Sequence, residues 1–182
     1  PAASPECSEA AAALLKSAPS RFRVVYCGPD EEVPVSAESL SEAMVYVQPG
    51  GGLLPRAWRR MRQHADDIRA FVRGGGHYLG FCLGAYLAGS DPGFGLAPGI
   101  AIDSYVNSPG SSVTDAADTI VQVRWRGQLR HMYFQDGCRF QIQPGATATV
   151  LATYDTGVPA AIIASYGAGR VGLVGPHPEA QR

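Results

Sequence analysis

The sequence predicts an α/β domain: a mostly parallel sheet flanked by helices, with an antiparallel β extension in the C-terminal half. Three observations predict it. In the first half, short apolar runs that stop at glycine alternate with helical stretches, the pattern of repeated strand, turn and helix. In the second half the apolar residues fall to a period of two, broken by tight turns such as Asp136-Gly137. Finally, 182 residues with 46% hydrophobic and 17% charged content suit one domain that buries a sizeable core without disulfide or metal staples.

Residues 5–17 open the chain as a helix. Glu6 and Glu9 lie near its start and Lys16 in its last turn, complementing the helix dipole. The run Phe22-Arg23-Val24-Val25-Tyr26, within Arg21 to Cys27, reads as a strand closed by Gly28-Pro29. Asp30-Glu31-Glu32 is a solvated acidic loop. Ala43 to Gln48 is an apolar strand that runs into Pro49-Gly50-Gly51-Gly52, a turn able to present backbone N–H groups. Leu54, Trp58, Met61, Ala65, Ile68 and Val72 recur at steps of four and three, which predicts one amphipathic helix over 54–72. Its arginines Arg56, Arg59, Arg60 and Arg62 form a solvated face rather than a phosphate site. Gly74-Gly75-Gly76 ends it.

His77 to Gly89 carries the chemistry. It reads as a strand, an abrupt turn at Cys82, and a helix. A nucleophile at such a bend needs small neighbours two residues away on both sides, so that strand and helix can pass closely, and Gly80 and Gly84 supply them. The turn starts a helix, whose free N–H groups favour a thiolate and can donate to an oxyanion, the Leu83 amide first among them. A thiol nucleophile needs a base, and the base needs a group to hold its tautomer. The strand Val171 to Val174 leads to His177-Pro178-Glu179, which provides both.

The C-terminal strands are expected at 119–125, 129–134, 139–142, 148–154, 160–166 and 171–174, separated by Arg126-Gly127-Gln128, Asp136-Gly137, Asp155-Thr156-Gly157 and Gly167-Ala168-Gly169. His64, His77 and His131 have weaker claims to function than His177. No two histidines or carboxylates fall at ligand spacing on one element, so no metal is expected. Cys7, Cys27, Cys82 and Cys138 form no Cys-x-x-Cys pair. Cys7 and Cys27 would share one sheet edge, which leaves open a disulfide, a redox role with Cys82, or two ordinary thiols.

Fifteen basic and sixteen acidic residues give a net charge of −1, with no bulk attraction to nucleic acid or acidic lipid. No run reaches the ~18 apolar residues of a membrane span. The partner expected is a small, neutral or polar ligand, and the default location is the cytoplasm.

Taken together, Pro49-Gly50-Gly51-Gly52, Gly80-Phe81-Cys82-Leu83-Gly84-Ala85-Tyr86 and Tyr166-Gly167-Ala168-Gly169-Arg170 leading to His177-Pro178-Glu179 resemble a class I glutamine amidotransferase-like domain. The nearest branch resembles the N-terminal region of biotin–protein ligases. The resemblance spans nearly the whole chain and implies a flavodoxin-like fold. It implies Cys82 as nucleophile, His177 as base and Glu179 as its orienter. The amides at Gly51 and Leu83 would form the oxyanion hole, and Gly50, Gly52, Tyr86 and Asp136 would contact substrate. Against that pattern, residues 1–182 read as one domain lacking the first strand, for which Pro1 to Ser4 is too short, and the C-terminal helix. Tyr86 stands where glutaminases of this class carry glutamine, which argues against glutamine as substrate while leaving the nucleophile machinery intact.

The function so implied is a cysteine hydrolase or amidotransferase-like domain acting on an amide-type or amino-acid-like substrate, without a cofactor. The alternatives are a catalytically silent binding or regulatory domain and a redox-sensing cysteine protein of the ThiJ/PfpI type. A homodimer or a partner domain would be compatible with each.

Overall fold

A computed structural model describes residues 2–180. Helix α1 (Pro5–Ser17) begins where expected: Ser4 caps it, its side chain accepting from the Cys7 N–H at 3.1 Å. Pro1 lies outside the described residues, and Ala2 to Ser4 carry no strand. After α1 come α2 (Ala37–Ser41), β1 (Val45–Gln48), α3 (Leu54–Met61) and α4 (Ala65–Arg73). The predicted single helix over 54–72 is therefore two, joined by a 3₁₀ turn at Arg62–His64. The apolar stripe survives because Met61, Ala65, Ile68 and Val72 are all buried on one side of the bend.

Strand β2 (His77–Phe81) and the short helix α5 (Leu83–Leu87) flank the Cys82 bend. Strand β3 (Ile100–Ser104) follows in a stretch where sequence patterning indicates no element. The β-rich half supplies β4 (Thr119–Trp125), β5 (Gln128–Phe134), β6 (Cys138–Ile142), β7 (Ala148–Tyr154), β8 (Pro159–Tyr166) and β9 (Gly169–Val174), each within two residues of its expected bounds. Arg126 and Gly127 both take positive φ, at 47° and 82°, so the β4–β5 hairpin closes in two residues.

Seven strands form one mixed sheet in the order β1-β2-β9-β8-β7-β4-β5, and β3 pairs with β6 in a second ladder. Parallel pairing is confined to β1–β2–β9, and the other neighbours in the large sheet are antiparallel. The class is α/β, as predicted, but the antiparallel share is larger than the sequence pattern suggests. Helices α2, α3 and α4 bury one face with Leu40, Met61, Ile68, Val72 and Tyr78. Ala11 of α1 packs into a second cluster with Phe81, Phe134 and Tyr154. In that cluster Tyr105 and Tyr154 stack, their ring centres 3.7 Å apart. Residues 21–27 are not a strand, a correction to the sequence reading. They have the composition of a strand and no ladder partner.

The three parallel strands end level with one another. Gln48 sits opposite Gly80, and Gly80 and Phe81 sit opposite Leu173 and Val174. In an open parallel arrangement the carboxyl ends of neighbouring strands define the binding crevice. Here the next residues are Gly50 to Gly52, Cys82 and His177.

Candidate active site

Cys82 takes φ 47° and ψ −105°, a conformation rarely adopted by a residue with a side chain. Its N–H is fixed to the Val174 carbonyl at 2.9 Å. Gly80 and Gly84 make the bend sterically feasible. A Cβ on Gly80 would strike the Gly84 carbonyl, and one on Gly84 would strike the Gln48 carbonyl of β1. Strand β2, helix α5 and strand β1 therefore meet at backbone contact, as the glycine spacing predicts.

His177 arrives from β9 through Gly175 and Pro176. Its N–H donates to the Tyr133 carbonyl at 2.9 Å, which ties the loop to β5. Gly175 also lacks room for a side chain, because a Cβ there would meet the Cys138 carbonyl and the Tyr154 hydroxyl. Nδ1 of His177 and Oε1 of Glu179 are 2.9 Å apart, and both side chains are at least 97% buried. Only the other ring nitrogen, Nε2, remains for chemistry. Gly50 closes against the ring: a Cβ there would meet His177 Cε1 and come within 3.2 Å of Cys82 Cβ. Cys82, His177 and Glu179 thus converge from two strand ends, with the β1 turn packed against Cys82 and the His177 ring.

Burial alone would strip the proton from His177. Hydrogen bonds with Cys7, Cys82 and Glu179, and the attraction of the Cys82 sulfur, overcome it and push the imidazole up to about 12. The Cys82 thiol has a second acceptor in the Gln135 carbonyl, 3.5 Å from Sγ. Among the described residues Glu179 Oε2 has no hydrogen-bond partner.

The Gly51 turn and the start of α5 border this frame. Gly51, at φ 83°, has Ser4 Cβ 2.6 Å from where its own Cβ would lie. Among the described residues, neither the Gly51 nor the Leu83 N–H is taken by another group. Gly52 is exposed beside the Leu83 side chain. Tyr86 is half-buried and donates to the Asp136 carbonyl at 3.3 Å, while the Asp136 carboxylate accepts from Ser104 Oγ at 3.4 Å. Burial holds the Tyr86 hydroxyl above its usual range, with Cys138 next in effect, so it remains a donor. Gln135 and Asp136 therefore lie beside Cys82 and Tyr86, and Asp136 takes φ 48°.

Sequence patterning places Cys7 on this edge but does not bring it to His177. Donor atoms of Cys7, His177 and Glu179 lie within 4.8 Å of one another, a sulfur, nitrogen and oxygen set able to share a proton or hold a cation. The available signal is Cys7's place in the first turn of the helix that starts against Gly50. All four cysteines are free. Cys27 does not join Cys7; burial, then Glu31, raises its thiol. Cys138 is fully buried, and burial raises its thiol as well. His64 and His131 hydrogen-bond with the Gln63 and Gln122 side chains at the surface.

The family model described as "Biotin-protein ligase, N terminal" matches residues 36–104, which hold β1, the glycine turn and the Cys82 bend. No curated protein sequence matches the chain. Among solved structures, an exo-β-1,4-mannosidase from Opitutaceae bacterium strain TAV5 aligns with 96% of this chain at 20% identity and TM-score 0.57. The chain spans only 27% of that enzyme. A candidate GMP synthase component from Thermoplasma acidophilum aligns with 82% of this chain and 71% of its own length, at 13% identity and TM-score 0.54. A cytoplasmic protein from Salmonella typhimurium LT2 covers 83% of this chain and 67% of its own, at 13% identity and TM-score 0.50. Among the described residues no helix is long and apolar enough to cross a membrane. The likeness to these solved structures is one of fold, and residues 36–104 match the biotin–protein ligase N-terminal model.

Proposed function

We propose that the protein is a cysteine hydrolase that cleaves a small amide-type substrate. The observation that supports this reading above the others is the buried His177–Glu179 pair, 2.9 Å apart, with the ring packed against Cys82. Buried charge without a partner is costly, and a carboxylate spent on one imidazole is a familiar device for fixing a base.

The reaction runs in two halves. With the Cys82 proton resting on His177, whose imidazole is held protonated, the Cys82 thiolate attacks the substrate carbonyl carbon. The resulting oxyanion accepts from the Gly51 and Leu83 amides. His177 returns the proton to the leaving nitrogen, the carbon–nitrogen bond breaks, and a thioester remains on Cys82. Water then attacks the thioester while His177 takes its proton, and the carboxylic acid leaves as the thiol is restored. Glu179 keeps Nδ1 protonated throughout. With Cys82 6% exposed, the substrate must present its carbonyl on a narrow projection past Gln135 and Asp136. Tyr86, in place of an amide side chain, offers a hydroxyl and a ring face.

The test is alkylation of Cys82 by a chloroacetamide probe, followed by intact mass in the wild type, His177→Ala and Cys82→Ala. Rapid labelling that depends on both residues supports the reading, and pairing it with an acyl-amide panel identifies substrates through a thioester mass adduct. Labelling indifferent to His177 overturns it in favour of a silent binding domain.

A further inference from the structure

Cys7 takes no part in either half of the proposed reaction, yet it enters the site. Helix α1 carries it there. The Ser4 N–H donates to the Gly50 carbonyl at 3.1 Å, and the Ser4 side chain caps the helix through the Cys7 N–H. The first turn of α1 is thereby fixed against the glycine turn that packs on the His177 ring. Donor atoms of Cys7, His177 and Glu179 then fall within 4.8 Å of one another. No local spacing records this set, because one ligand comes from the start of the chain and two from its end. A second observation singles the cluster out. The Glu179 side chain is 1% exposed, and among the described residues its Oε2 has no hydrogen-bond partner. A buried carboxylate oxygen ordinarily finds a donor or a cation.

The geometry points to a metal site: Cys7 Sγ, a ring nitrogen of His177 and the Glu179 carboxylate take one thiophilic divalent cation of the zinc type, and the bound ion silences Cys82. A sulfur, nitrogen and oxygen set suits zinc, whereas magnesium and calcium need several oxygens and would find one carboxylate. A thiolate and a carboxylate together neutralise the dication, as a site with two buried ligands requires. Zinc bonds of about 2.0–2.3 Å set tetrahedral ligands about 3.3–3.6 Å apart. The His177 Nδ1 and Glu179 Oε1 atoms are already 2.9 Å apart, and the 4.8 Å limit on the set leaves only side-chain rotation to close it. Cys7 is half-buried and gives the ion a way in from solvent. Loading releases the Cys7 thiol proton and the proton of the coordinating ring nitrogen. A neutral ring that binds metal through one nitrogen keeps its remaining proton on the other. It has no lone pair left to receive a proton from Cys82 or from water. The silencing rests on the hydrolase reading; the binding does not.

The experiment titrates the metal-free protein with zinc against a chromophoric chelator, and with cobalt, whose bond to a thiolate absorbs in the near ultraviolet. The wild type and Cys82→Ala should each bind one equivalent, show the cobalt–thiolate band and protect Cys7 from chloroacetamide, as read by peptide mass. Cys7→Ser keeps the backbone N–H that Ser4 accepts from, so the helix cap survives. It should lose the band, and both it and Glu179→Gln should bind zinc at least about tenfold more weakly. Cys27→Ser, at the other half-buried thiol, should bind as the wild type does. Equal zinc affinity in wild type and Cys7→Ser, or a band that follows Cys27 or Cys82, would overturn the inference. In the wild type one equivalent of zinc, but not of magnesium, should slow Cys82 alkylation by about 100-fold, the loss expected when a positioned base is removed, and a chelator should restore it. Zinc that binds through Cys7 and leaves the Cys82 rate unchanged overturns the silencing. Failure of the hydrolase reading looks different: the metal-free Cys82 rate would be indifferent to His177→Ala, while zinc binding by Cys82→Ala would stand.

Discussion

The two sides of β1 are built on opposite plans. Toward β2 the backbone is packed until side chains no longer fit: Gly50, Gly80 and Gly84 each stand where a single carbon would collide with His177 or with a carbonyl. Away from β2, the same strand borders a groove of about 800 Å³, and among the described residues its backbone bonds to nothing there. Stability and position are concentrated on the side that holds Cys82. A strained residue such as Cys82 is kept in place by backbone contact, which does not yield as a side chain would.

The sharpest way to break this contrast is one small change on each side. Gly84→Ala drives its Cβ into the Gln48 carbonyl, so α5 must lift from β1. A loss of about 3 kcal/mol or more is expected, in the upper range for single substitutions. Val25→Thr on the groove side, at a residue 53% exposed, should stay within about 0.5 kcal/mol. Urea unfolding of both variants reads the difference directly, and equal losses would show the site side to be no more rigid than the edge.

His177→Ala comes next. It removes the proton acceptor and should slow Cys82 alkylation at neutral pH about 100-fold, the lower range for a positioned base. The same substitution exposes a pH signature. The folded imidazole is raised to about 12 against about 6.5 in the unfolded chain, so the protonated form is favoured by folding. Its contribution is fully present below about pH 6.5 and is lost as pH climbs from there toward 12. The stability gap between wild type and His177→Ala should therefore narrow with rising pH, by at most about 1.4 kcal/mol per unit. A gap that widens would put the neutral ring in the folded state.

Much of the site side is legible in the sequence, because glycine spacing is a local signal. Gly80-x-Cys82-x-Gly84 encodes a close crossing of strand and helix, and the crossing occurs. The β-hairpins are equally legible from turn residues. The edge misleads for a physical reason: residues 22–26 have the apolar, β-branched composition of a strand, but a strand is defined by a partner, and composition does not say whether one is present. The break at Arg62–His64 leaves the apolar stripe continuous and so escapes detection. Cys7 reaches His177 through tertiary packing between opposite ends of the chain, which no local pattern records.

Cys7→Ala sharpens the comparison within the site. It removes the strongest of the hydrogen bonds that oppose burial at His177, while Cys82 and Glu179 remain. The imidazole pKa should fall, measurable by following the His177 ring resonances through a pH titration. Cys82 labelling at pH 7 should drop by about fivefold, roughly 1 kcal/mol and the net worth of one such bond, and far less than in His177→Ala. Unchanged ring titration would mean that Cys7 touches the site without bearing on its proton.

The smallest effect belongs to Tyr86. Its hydroxyl donates to the Asp136 carbonyl at 3.3 Å, a long bond at the solvent edge of the site, so Tyr86→Phe should cost under about 1 kcal/mol of stability. Its consequence for reactivity is more informative than its size. The bond links α5 to the loop whose Gln135 carbonyl accepts from the Cys82 thiol. If that loop holds the thiol back from His177, releasing it through Tyr86→Phe should speed Cys82 alkylation by about twofold to threefold, within the same energy. If labelling instead slows, Tyr86 positions the loop to help the nucleophile, and the Gln135 contact is part of the reactive arrangement.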